Sequence, residues 1–201
     1  PHPRECIEEL DKRRIPTILG NHDHWVASGV REWGISPDAR TSLDWTRDVL
    51  SEDMLTWLRN RPRTLRYASV SLVHASFAYR PRWAYVIKPL TLRVNFLFQR
   101  PAVSFNGHSH LPVLGIHRRG STPCFAALEE TRLETGSRFL VNPGSVGQPR
   151  DGDPRAACVV YDIRERRLVP LRAAYDWTRT QVDMRRAELP ERLVERLEQG
   201  R

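Results

Sequence analysis

The stretch that most constrains this chain is "IPTILGNHDHW", residues 15–25, where an apolar run stops at Gly20 and Asn21, His22, Asp23 and His24 follow without a break. The pattern returns three times. "SVSLVHAS" reaches His74, "PAVSFNGHSH" ends on Gly107, His108, Ser109 and His110, and "RFLVNPGSVG" runs into Asn142–Ser145. Short apolar runs bounded by Gly, Pro or Asn read as buried strands. Helical periodicities lie between them, so the expected class is α/β. In open α/β sheets the carboxyl ends of strands are where sites are built.

The remaining elements follow from periodicity and caps. Residues 3–14 predict a helix with Pro3 in its first turn and Ile7 and Leu10 on one face. "IPTIL" predicts a short strand over residues 15–19. Ser42–Leu50 and Ser51–Asn60 predict two helices, with Ser51 as N-cap and Pro62 beyond the second. "TLRYASVSLVHASF" predicts a strand pair or one bent strand. Residues 89–100 predict a helix with its apolar face through Leu90, Val94 and Leu97. Residues 156–176 predict a hairpin turning near Arg164–Arg166, Asp176 caps a helix, and Pro190 opens a last one carrying Leu193 and Leu197. There is no internal repeat. The expectation is one domain over residues 1–201, with a helical segment from about 176 to 201 at its end.

Composition narrows the function classes. At 201 residues, 28% charged and 40% hydrophobic, the chain can bury a core, and no run is apolar enough to cross a bilayer. The start, "PHPRECIEEL", lacks the apolar region of a signal peptide. Cys6, Cys124 and Cys158 are odd in number and far apart, which predicts a reducing, cytoplasmic setting. The net charge is +8 and Lys12 and Lys88 are the only lysines. The arginines are interleaved with acids, as in "IRERR", so a salt-bridged surface is expected and nucleic acid is disfavoured as a partner.

Imidazole suits zinc, iron, nickel and copper, while amide and carboxylate oxygens suit harder ions such as manganese. The mixed set Asn21, His74, His108 and His110 therefore points to Mn, Fe, Co, Ni or Zn. In "GHSH" the two histidines face one side if the segment is extended. On a tight turn they would reach two neighbouring ions.

"GNHD" at 20–23, "LVHAS" at 72–76, "GHSH" at 107–110 and "LVNPGSVGQPRDGDPRAA" at 140–157 resemble the calcineurin-like metallophosphoesterase superfamily. The likeness is to its small bacterial branch of phosphodiesterases and diadenosine-tetraphosphatase-like proteins. The resemblance implies a sandwich of two mixed sheets flanked by helices, with a two-metal site at the strand ends. Asn21, His74 and His108 would bind one divalent ion and His110 the other, manganese being preferred. His22 would protonate or stabilise the leaving-group oxygen, and Asp23 would orient His22. Paired ions clamp the attacking and leaving oxygens and lower the pKa of bound water to about 7. General acid catalysis by His22 would add roughly 10²–10⁴-fold.

The family's opening Asp-x-His is absent, and the one Gly-Asp, Gly152–Asp153, stands too late in the chain. The expectation is a chain lacking its first βαβ unit, about 30 or more residues. On the substrate side, Asn142, Ser145 and Arg150 would meet a phosphate ester, small molecule or nucleotide. Tyr79, Trp83 and Tyr85 would either wall the site, with Arg80 and Arg82 beside phosphate, or belong to the core, the latter being favoured for Trp83 and Tyr85. Trp25, Trp33, Trp45 and Trp57 are assigned to packing. The expected function is metal-dependent hydrolysis of phosphomono- or diesters; the alternative is a catalytically silent interaction module of the same fold.

Overall fold

The structure, a computed structural model, describes residues 1–30, 34–78 and 82–201. Trp33, Tyr79 and Arg80 lie outside the described residues. The chain divides into two compact units, residues 1–63 with 176–198 and residues 64–175 with 199–201.

The first unit is helical: α1 (Pro3–Lys12), α2 (Asn21–Ser28), α3 (Pro37–Val49), α4 (Glu52–Arg59), α6 (Trp177–Arg186) and α7 (Glu191–Gln199), whose last residue falls in the other unit. Its starts are written in the sequence. Ser36 Oγ accepts from Ala39 N–H and Ser51 Oγ from Met54 N–H, both at 3.3 Å, and Asp176 Oδ1 accepts from Arg179 N–H at 3.1 Å. Pro37 sits in the first turn of α3, so that helix begins five residues before the expected Ser42. One apolar cluster gathers Ile7, Val26, Leu43, Leu50, Leu55 and Leu58, with Trp25 and Trp57 packed on it. A second joins Met184, Leu189, Val194 and Leu197 to Trp45 and Trp177. The expected strand at 15–19 does not form. Leu19 N–H is taken by the loop carbonyl of Pro62 at 2.9 Å, and among the described residues the segment joins no ladder.

The second unit carries both sheets. Its elements are β1 (Thr64–Tyr67), β2 (Val70–Val73), α5 (Pro89–Phe98), β3 (Val103–Phe105), β4 (Val113–His117), β5 (Cys124–Ala126), β6 (Thr131–Arg132), β7 (Arg138–Asn142), β8 (Ala156–Asp162) and β9 (Arg167–Ala173). A six-stranded mixed sheet runs β1-β2-β3-β7-β4-β5, with β2, β3 and β7 adjacent and parallel. A three-stranded antiparallel sheet runs β6-β9-β8. β7 shows how the sandwich closes. Phe139 and Val141 face the second sheet with Val70, Val103, Leu133 and Leu168, whereas Leu140 faces α5 with Val73, Leu92 and Phe96. The sandwich implied by the family resemblance is therefore present.

Helix α5 corrects the sequence reading. Its buried residues are Leu92, Asn95 and Phe96, whereas Leu90 and Leu97 are 70% and 76% exposed. Asn95 decides the face. Its Oδ1 accepts from Phe77 N–H at 2.9 Å and Ser76 Oγ–H at 3.2 Å, so the helix turns its amide toward the chain just after His74.

Candidate metal centre at the ends of three parallel strands

Because β2, β3 and β7 run parallel side by side, their carboxyl ends lie on one edge of the sheet. β2 delivers His74, β3 delivers Asn106–His110 and β7 ends on Asn142. Backbone and amide bonds stitch these ends together. Gly107 N–H donates to His74 O at 2.9 Å, Asn106 N–H to Val141 O at 2.9 Å, and Asn106 Nδ2 to Ala75 O at 3.1 Å. His74 and His108 stand edge to face with ring centroids 5.1 Å apart.

"GHSH" is a tight turn. Ser109 N–H reaches Gly107 O at 2.7 Å, and His108 and His110 both hold left-handed backbone conformations, φ 64° and 60°. Non-glycine residues in that region concentrate at functional sites, held there by their surroundings. The holding group here is Asn142, which is 1% exposed. Its Nδ2 donates to Gly107 O at 2.8 Å and Ser109 Oγ at 2.9 Å, while its Oδ1 accepts from Gly144 N–H at 3.0 Å. Asn142 buttresses the histidine turn, its amide engaged by backbone and hydroxyl groups. Gly144 has φ 92°, and a Cβ there would stand 2.9 Å from Ala157 Cβ, so only glycine fits.

Gln148 is a member that motif reading missed. Its backbone carbonyl accepts from His110 Nδ1 at 2.7 Å. A carbonyl only accepts, so Nδ1 carries a proton, and in the neutral ring Nε2 keeps a lone pair. Gln148 Oε1 accepts from Arg150 Nη2 at 2.8 Å, Gln148 N–H donates to Ser145 Oγ at 3.0 Å, and Arg150 N–H donates to His110 O at 3.2 Å. His110, Ser145 and Arg150 are thus joined through one residue. The only sequence signal for it was being the lone amide side chain between Ser145 and Arg150.

Two aromatic rings meet the histidines. Trp83 is buried and edge-on to His74, centroids 5.8 Å apart. Tyr85 stacks on His108 at 4.0 Å with planes 22° apart, and it is 45% exposed. The core assignment holds for Trp83 and fails for Tyr85, which covers an imidazole. Arg82 is exposed. Asp151 and Asp153 are engaged by arginines. Arg172 pairs with both, and Arg155 Nη2 meets Asp153 Oδ2 at 2.6 Å.

The other predicted residues open α2 in the helical unit. Asn21 is buried and His22 is exposed, its ring 5.4 Å from Trp25. Asp23 Oδ2 accepts from Gly20 N–H at 2.7 Å and closes the first turn, so its visible action is on the backbone that carries His22. Burial pushes the Asp23 carboxyl up, and the Gly20 N–H opposes that. His24 faces Arg63, Nε2 to Nη2 3.4 Å.

His110 has the tautomer that a ligand needs, and His74 and His108 are neighbours, so these residues fit imidazole coordination of a borderline metal. Among the described residues no three His, Cys, Asp or Glu side chains converge into a complete ligand set.

The model of the calcineurin-like phosphoesterase superfamily domain matches residues 2–166. The chain belongs to this superfamily. A metallophosphoesterase crystal structure from Sphaerobacter thermophilus is similar over 99% of this chain and 82% of its own, with 32% identity and a TM-score of 0.82. A hypothetical protein from Pyrococcus horikoshii shares the fold at 18% identity and a TM-score of 0.74, over 100% of this chain and 81% of its own. An uncharacterized protein of Methanocaldococcus jannaschii is 28% identical over 206 residues, 100% of this chain and 82% of its own. A symmetrical bis(5'-nucleosyl)-tetraphosphatase of Aliivibrio salmonicida is 35% identical over 78 residues, 38% of this chain and 28% of its own. Calcineurin-like phosphoesterases hydrolyse phosphoesters and generally use a dinuclear divalent metal centre.

Proposed function

We propose that this chain works as a cytoplasmic, metal-dependent phosphomono- or phosphodiesterase, with manganese the preferred ion and nucleotides or dinucleoside polyphosphates among its substrates. The observation that carries the reading is the placement of His74, His108 and His110 just beyond the carboxyl ends of two adjacent parallel strands, with the His74 and His108 rings 5.1 Å apart, in a chain of this superfamily. The tetraphosphatase likeness supports the nucleotide class.

In this reading Asn21, His74 and His108 would hold one ion and His110 the other. When bound, the ions supply charge neutralisation on the phosphate oxygens and activation of the attacking water. The chain's own residues do the rest. Gln148 O keeps the proton of His110 on Nδ1. Asn142 fixes the turn that presents His108 and His110. His22, exposed on the first turn of α2, gives its proton to the departing oxygen, and Asp23 holds that turn by its bond to Gly20. Ser145 and Arg150 line the approach. Arg150 offers the phosphate the N–H groups that Gln148 leaves open.

The test is Mn²⁺-dependent hydrolysis of an aryl phosphodiester, with ion content counted after desalting. His22→Ala is expected to lower turnover by about 10²-fold or more while keeping metal. His108→Ala is expected to lose metal as well. Equal metal loss in both variants would overturn the role given to His22. Metal binding without hydrolysis of any phosphoester would favour a silent interaction module.

A further inference from the structure

The six-stranded sheet has a second functional-looking end. His117 closes β4 and Arg138 opens β7, and the two are register partners. Arg138 lies four residues from Asn142, so this end is roughly 14 Å from the histidine edge at strand rise. A cavity of about 450 Å³ opens here, lined by Arg93, Phe96, Leu97, His117, Thr122 and Arg138 among others. That volume lies within the range of small-molecule sites.

The polar groups of this cavity are donors without acids. Among the described residues no Asp or Glu lines it. Arg138 Nη1 donates to Phe96 O at 2.7 Å and Nη2 donates to Gln99 O, which leaves further N–H groups of the guanidinium unused. The guanidinium sits 5.6 Å from the Phe96 ring, and burial lowers its pKa. Neither Arg93 nor Arg138 has a carboxylate partner among the described residues, unlike Arg118, which is paired with Glu134. His117 Nδ1 is buried with no hydrogen-bond partner among the described residues. The Thr122 hydroxyl, likewise, makes no bond within the chain among the described residues.

Two uncompensated guanidiniums, an imidazole and a hydroxyl come from α5, β4, the loop after it and β7. Guanidinium and hydroxyl donors arriving from α5, β7 and the loop after β4 suit a tetrahedral oxyanion better than a planar carboxylate, and paired arginines match phosphate. We propose that this cavity is a second anion site, distinct from the strand-end histidines, that takes the phosphate of a small phosphorylated ligand, with its organic part against the exposed Leu97. The proposal does not depend on the chain being a phosphoesterase.

The probe is inorganic pyrophosphate, titrated calorimetrically into chelator-treated full chain at moderate salt. One saturable site is expected. Arg93→Ala, an exposed position whose loss leaves the core intact, should weaken binding about tenfold, as should Thr122→Val to a smaller extent. His108→Ala and Arg192→Ala, a surface arginine on α7, should leave it unchanged. Absence of saturable binding overturns the site. So does binding that survives Arg93→Ala but is lost in His108→Ala, which would place the anion at the histidine edge. Equal weakening by Arg93→Ala and Arg192→Ala would reduce it to diffuse charge attraction and overturn it equally.

Discussion

Tyr85 and His108 lie nearly flat on each other, and that contact carries a consequence for the metal site. An aromatic pair of this kind contributes about 0.5–1.5 kcal/mol beyond its buried area, and here it fixes the plane of an imidazole. Tyr85→Ala is expected to weaken retention of a divalent ion by about two- to tenfold, measured by competition with a chelating dye, while Tyr85→Phe keeps it. Asn142 acts through hydrogen bonds instead. Asn142→Ala orphans Gly107 O and Gly144 N–H in a buried turn, and a loss of about 1–3 kcal/mol is expected in denaturant unfolding. The histidines were legible in the sequence because each follows an apolar run. Gln148 was not, since it works partly through its backbone carbonyl, and Tyr85 was placed between site wall and core because it belongs to a loop packed across the sheet end.

At the level of elements, caps were the most legible feature. Ser51 and Asp176 cap the helices they were assigned to, and the 156–173 hairpin turns where its charges cluster. α5 was misread because it is apolar on most sides, so periodicity gives no single stripe, and the polar Asn95 settles the orientation from within the core. Truncating each face tests this. Leu92→Ala should cost about 2–5 kcal/mol, whereas Leu97→Ala, on the exposed side, should stay within about 0.5 kcal/mol, both read from chemical denaturation. Residues 15–20 show the converse. An apolar run supplies strand propensity, but a strand exists only when a neighbour pairs with it.

Across the whole molecule the arginine-rich charge resolves into pairs. Arg59 with Glu52, Arg118 with Glu134, Arg132 with Glu165, Arg167 with Glu130 and Arg185 with Glu191 bear out the salt-bridged surface expected from the interleaved charges. Among the described residues no helix is long and apolar enough to cross a membrane. Some of these pairs set an acid limit. The Arg155 side chain and backbone hold the Asp153 carboxyl down at about 2, from an ordinary 3.8. The Thr178 hydroxyl lowers Asp176, and Arg185 lowers Glu191. Such groups stabilise the fold fully above their unfolded pKa values, and the contribution fades as pH falls through the depressed ones. Denaturant midpoints should therefore drop between about pH 4 and pH 2, and Asp153→Asn should flatten that fall.

The sequence by itself determined the α/β class, the caps at Ser51 and Asp176, the family and the identity of the histidines, because caps, apolar runs and strand-end motifs are local and survive without knowledge of the fold. Only the tertiary structure decided what those residues touch. It made "GHSH" a left-handed turn braced by Asn142, laid Tyr85 on His108, and turned Asn95 rather than Leu97 inward. It also set Arg93 and Arg138, neither with a carboxylate partner among the described residues, beside one cavity at the far end of the sheet. The reason is physical. Burial, close packing and the satisfaction of polar groups depend on which segments become neighbours, and no local spacing along the chain specifies that.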